Sequence, residues 1–278
     1  MDARSPLVRA LLLLQQFPLP LLLPAIAVVL VSMAINPQLA QLTLPKFTHF
    51  MVFVAGMLVH FLLTCVAFIC IANYTARNES NGEKPELRNI FDSLGYPGYG
   101  KLLAALLVRF ALTLVLVALF TVLLITPVFA AFRAISHHLP PRAVSGEVYL
   151  WVATVIAVAI LARWVFAIPL FAQSKGLLKT AWETSIKVVR GRTLFVVFFT
   201  LVLRAVSYPF VRLTSSLHPH LSEGAAHYAP QLFEIFAAYG LRAAIWAYWM
   251  IVMTLLAMQL QAADASDSAF STLPVASA

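Results

Sequence analysis

The sequence predicts an all-α integral membrane protein. It has six transmembrane helices, cytoplasmic N- and C-termini, and two cytoplasmic amphipathic helices in the membrane interface. Three observations carry this. Of 278 residues, 62% are hydrophobic and 11% are charged, whereas soluble domains are about half apolar and about a quarter charged. The apolar residues gather into six runs that can each supply the roughly 20 helical residues needed to cross a bilayer core. Basic residues concentrate in alternate connections between those runs, with eleven lysines and arginines on one side and four on the other. The positive-inside rule places the richer side, with both termini, in the cytoplasm.

The first run, near 14–35, follows a signal-like start with Arg4 and Arg9. It is longer than the roughly 7–15 residues of a signal-peptide core and is entered through Pro18, Pro20 and Pro24, so it reads as a span. The second, near 48–74, carries Cys65 and Cys70. Five residues apart on a helix, they point about 140° away from each other and cannot pair, so they read as buried small hydrophobes. His60 in the same run reads as a hydrogen-bonded core residue.

The remaining spans fall near 102–132, 149–172, 194–213 and 230–261. Residues 1–262 then form one membrane domain, and 263–278 a flexible polar tail. Asn73-Tyr-Thr and Asn78-Glu-Ser match glycosylation acceptors, but the topology puts them on the cytoplasmic side.

The two basic connections share a design. In PELRNIFDSLG, helical spacing sets Leu87, Ile90, Phe91 and Leu94 on one face, and Tyr96-Pro-Gly-Tyr-Gly ends the segment in a turn. In KGLLKTAWETSIKVVRG, Leu178, Ala181, Trp182, Ser185 and Val189 share a face. Lys179, Glu183 and Lys187 lie opposite at i, i+4 spacing. Apolar on one side, basic on the other and carrying Trp182, with Lys187 and Arg190 toward its end, this segment predicts an interfacial helix. A solvated helix packed on the rest of the protein is the alternative.

The stretch ARWVFAIPLFAQSKGLLKTAWETSIKVVRGR, residues 162–192, combines an arginine in a span, a proline six residues on, a glycine, Ala-x-x-x-Ser and a closing basic-Gly pair. In Arg163, Pro169, Gly176, Ala181, Ser185, Arg190 and Gly191 it resembles the six-span membrane domain fused to some bacterial glycerophosphodiester phosphodiesterases and its stand-alone relatives of unknown function. An acidic residue often precedes the glycine in that group; here the stretch is Gln173-Ser-Lys-Gly. The resemblance implies a fold and a location in the bacterial inner membrane. It implies no phosphodiesterase activity, because no soluble segment is long enough for a barrel of about 250 residues.

Four arginines lie inside spans: Arg109, Arg163, Arg204 and Arg242. Each costs at least about 2.5–3.5 kcal/mol near mid-membrane unless it snorkels or finds a partner. Arg109 and Arg163 each sit roughly 12–14 Å from the cytoplasmic end of their span. Two readings stand: they line a pocket for a lipid phosphate or other anion with Lys175 and Lys179 at its mouth, or they bond carbonyls and lock helices together. Glu234, the single acid within the spans, reads as a structural ion pair with Arg204 or Arg212.

Five histidines in the outer loops (His137, His138, His218, His220, His227) lack metal-ligand spacing, so no metal site is predicted. No catalytic or cofactor motif is present. The net charge of +8 sits in loops between apolar runs, which points to anionic lipid and not to nucleic acid. The expected function is a non-enzymatic membrane protein binding anionic lipid or a protein partner, as an accessory or scaffold component. The alternative is a transporter or channel component for an anionic or lipid-like substrate.

Overall fold

The computed structural model describes residues 5–41, 46–81, 87–120, 123, 155–156, 166–190, 192–217 and 229–271, and all its regular elements are helical. The chain opens with α1, Pro6–Gln16, whose first turn has Pro6 where an N–H would be unbonded anyway and Ser5 Oγ accepting from Val8 N–H. It stops at Phe17 because Pro18 disfavours a helical residue before it and starts a new helix. That helix, α2 (Pro18–Gln41), leaves the break bent by 96° from α1. The prolines expected to lead into a span therefore mark a corner, and residues 14–16 belong to α1.

The longest elements are α3, Lys46–Asn81, and a C-terminal helix, Ala229–Ser271, which continues past residue 263, where the sequence places the start of the polar tail. Between them in the sequence come a 3-10 helix, Leu87–Gly95, then α4, Tyr99–Phe120, α5, Ala167–Gln173, α6, Leu178–Val189, and α7, Thr193–Leu217. The C-terminal helix is α8. Among the described residues, three helical segments are long and apolar enough to cross a membrane: Val54–Ser80, Tyr99–Phe120 and Tyr239–Ala263. The bent pair α1–α2 makes a fourth if it counts as one span.

The core forms where α3 and α8 pack together with α2, and the short α5 is wedged against α3. Residues 65–76 of α3 are buried almost without interruption, as are residues 250–257 of α8. Six residues of α5, from Ala167 to Ala172, follow the buried Phe166 and are themselves buried. The outer faces are equally apolar. Val108, Leu112, Val115 and Leu119 form an exposed stripe at helical spacing on α4, and Leu194 on α7 is 86% exposed. A hydrophobic core inside a hydrophobic exterior is stable only where the surrounding medium is apolar as well.

The 3-10 helix departs from the spacing the sequence suggested. Three residues per turn, in place of 3.6, align Ile90 with Ser93, and both are fully buried. Phe91, expected beside Ile90 on an α-helical face, is rotated outward and 49% exposed.

Candidate functional site

One end of the bundle gathers the polar chemistry. Asn73, buried on α3, donates from Nδ2 to the carbonyl of Asn89 at 3.2 Å, and its Oδ1 accepts from the Tyr96 hydroxyl at 3.0 Å. Arg77, one turn further along α3, pairs with Asp92 at 2.8 Å and donates to the Tyr96 hydroxyl at 3.5 Å. This network ties the 3-10 helix to α3 and encloses Asn73, the first acceptor-like asparagine. Beside it, Arg9 of α1 pairs with Glu79 of α3 at 2.7 Å, and the Glu79 side chain is 9% exposed. Sequence reading passed over both clusters. The available signal was Arg77 and Asp92 flanking one short connection, with Tyr96 just beyond.

Next to this network, two turns touch through glycine. α5 ends at Gln173, the Ser174 N–H returns to the Leu170 carbonyl at 2.9 Å, and Gly176 N–H reaches the Phe171 carbonyl at 3.2 Å. Closing the turn puts Lys175 at φ 50° and Gly176 at φ 94°, the left-handed region that glycine enters without strain. A Cβ on Gly98 would stand 2.3 Å from the Gly176 carbonyl oxygen, and one on Gly176 would stand 2.8 Å from Cβ of Tyr96. The Tyr96-Pro-Gly turn thus packs directly on the α5–α6 turn.

That contact sets the direction of α6. Ala181, Ser185, Val188 and Val189 are buried, while Leu178 and Trp182 are half-buried at the edge. The predicted apolar face therefore packs on the protein, against α5, α8 and α4. Lys175, Lys179, Lys187 and Arg190 are all exposed, with Glu183 among them. Arg109 of α4 lies with its guanidinium carbon 5.9 Å from the centre of the Trp182 ring, a cation–π contact joining α4 to α6. Of the four residues expected to form an anion pocket, Arg109, Lys175 and Lys179 thus fall near α6, while Arg163 lies outside the described residues. The side chains of Arg204, Arg212 and Glu234 also lie outside them, as do the five outer-loop histidines.

The motif residues now have local reasons. Pro169 is buried in α5, Gly176 makes the left-handed turn, and Ala181 and Ser185 form the buried face of α6. Arg190 caps that helix, its N–H reaching the Ile186 and Lys187 carbonyls at 3.1 Å. Gly191 lies outside the described residues.

A second polar feature sits deep in the bundle. His60 of α3 and Arg242 of α8 meet beside Trp246, whose ring lies 6.5 Å from the His60 ring at 88°. Both belong to segments long and apolar enough to cross a membrane. No family model, curated protein or solved structure matches the chain, so the motif residues are read from their own geometry.

Proposed function

We propose that the chain is a six-span protein of the bacterial cytoplasmic membrane with both termini in the cytoplasm. We further propose that it is non-enzymatic and binds anionic lipid headgroups as an accessory or scaffold component. The observation that supports this most is the exposed basic face of α6. Lys179 and Lys187 project from α6, with Lys175 in the turn before it and Arg190 at its C-cap, and the opposite face of the helix is packed into the apolar bundle. In this reading α6 lies in the headgroup layer, its apolar face on the bundle and its charges turned toward phosphates. Each lysine or arginine near an anionic leaflet contributes about 1 kcal/mol of attraction, and Glu183 opposes part of it. Trp182 at the edge of the buried face suits the same depth, where an amphipathic ring is apolar on one side and hydrated on the other. Arg109, held over that ring, sets a further cation beside the face.

Thermal unfolding of the detergent-solubilised protein tests the proposal. Added phosphatidylglycerol raises the midpoint more than equal phosphatidylcholine, and replacing Lys175, Lys179, Lys187 and Arg190 together by glutamine removes the difference. An equal response to the two lipids in the wild type refutes it.

A further inference from the structure

The cavity between α2, α3 and α8 has properties the lipid-binding reading does not use. Its walls are mostly aliphatic: Ala25, Val28 and Val29 from α2 and Met250 from α8. Its polar lining comes from His60 and Arg242. His60 Nδ1 and Arg242 Nε are buried, and neither has a hydrogen-bond partner among the described residues. The enclosed space has room for about one water-sized sphere. The site is also far from the basic end. Tyr74 of α3 packs on Phe17 at the α1–α2 corner, and His60 lies roughly 20 Å further along α3 at about 1.5 Å per residue. With a hydrocarbon core about 30 Å thick, that places Arg242 and His60 inside the membrane.

We propose that this cavity is a binding site for a monatomic anion of the halide class, held between Arg242 and His60. The inference is independent of α6 and stands or falls without it. A guanidinium cannot be deprotonated at accessible pH, so Arg242 keeps its charge at this depth, and among the described residues no carboxylate lines the cavity to neutralise it. Arginine Nε–H is a donor, and Nδ1 of histidine is a donor in one neutral tautomer and in the cation. Two buried donors without a protein partner among the described residues, on side chains that line one small space, suit a single spherical acceptor. Phosphate, sulfate and carboxylate groups present several acceptor atoms that each need donors, whereas two donors at a space this small suit one acceptor atom. A lone water could accept from Arg242 and donate to His60 but would leave the cation uncompensated in a low-dielectric setting. Halides are weakly hydrated among small anions, and aliphatic walls with the Trp246 ring complete a suitable lining.

The test uses the full chain in neutral detergent, with sodium gluconate exchanged for sodium bromide, chloride or sulfate at constant ionic strength. Bromide and chloride raise the unfolding midpoint saturably by a few degrees and sulfate does not. Arg242→Gln abolishes the halide response, His60→Phe weakens halide affinity at least tenfold, and Lys101→Gln, at an exposed lysine at the start of α4, leaves it intact. His60→Phe keeps an aromatic ring against Trp246, so it remains informative if Arg242→Gln does not fold. Crystals of the wild type grown in bromide show an anomalous peak between Arg242 and His60. A wild type without a saturable halide response, a response unchanged in both cavity variants, or scattering from a water alone at that position overturns the proposal.

Discussion

Gly98 and Gly176 are the positions where the backbone itself leaves no room. Each faces the other turn, and a methyl group on Gly98 would overlap a carbonyl oxygen that cannot swing aside. Gly98→Ala therefore destabilises the protein by about 1–3 kcal/mol or more, as overpacking does. Gly95→Ala and Gly100→Ala, where an added Cβ meets nothing within 4 Å, stay within about 0.5 kcal/mol, as surface changes usually do. Comparing unfolding midpoints of the three variants decides this, and equal midpoints contradict the turn-on-turn packing. Asn73 is the second residue-scale test. Asn73→Ala removes the acceptor of the Tyr96 O–H and the donor to the Asn89 carbonyl and costs about 1–3 kcal/mol. Gly98 and Gly100 were legible as part of a turn. That one of them touches Gly176 was not, because contact between turns nearly eighty residues apart leaves no trace in local spacing.

The elements show which physical signals survive translation into a fold. α6 was legible almost side chain by side chain: Ala181, Ser185 and Val189 are buried and Lys179, Glu183 and Lys187 are exposed, as 3.6-residue spacing requires. What the spacing could not reveal was the identity of the apolar surroundings, and most of that face packs on protein. The segment before Tyr96 misled for a definable reason, since its tighter 3-10 winding moves Phe91 off the face that Ile90 occupies. Ile90→Ala accordingly costs about 2–4 kcal/mol, whereas Phe91→Ala costs far less. A larger loss at Phe91 in thermal unfolding would restore the α-helical register. The corner between α1 and α2 follows from Pro18, yet a proline-rich entry to an apolar run looks the same whether the chain bends or goes straight. Glu79, nearly enclosed, fixes that corner to α3 through Arg9. Arg9→Ala leaves the carboxylate without its cation and destabilises the protein by about 1–3 kcal/mol, while Glu79→Gln with Arg9→Ala recovers part of the loss.

For the whole molecule, composition carried most of the information. An excess of apolar residues with few charges predicts helices that are apolar inside and out, and the exposed stripe on α4 beside the buried length of α3 is that pattern. The arrangement of charge was only half legible. Counting lysines and arginines separates a basic end from a poor one, but it does not bring Arg109 to Trp182 or Arg242 to His60, because those pairings join elements far apart in sequence. Arg242 was visible as one cation among four, and His60 as a hydrogen-bonded core residue, although its Nδ1 has no partner among the described residues; only packing of α3 on α8 makes them neighbours. The basic end is the part of the molecule on which the proposed function depends. The most direct measurement is native mass spectrometry of the protein released from its membrane, counting retained phosphatidylglycerol or other anionic lipid. The wild type carries bound anionic lipid in preference to zwitterionic lipid. Glutamine at Lys175, Lys179, Lys187 and Arg190 lowers that occupancy at least tenfold, given about 1 kcal/mol for each charge removed. Unchanged retention in that variant, with its unfolding midpoint preserved in lipid-free detergent, contradicts the account.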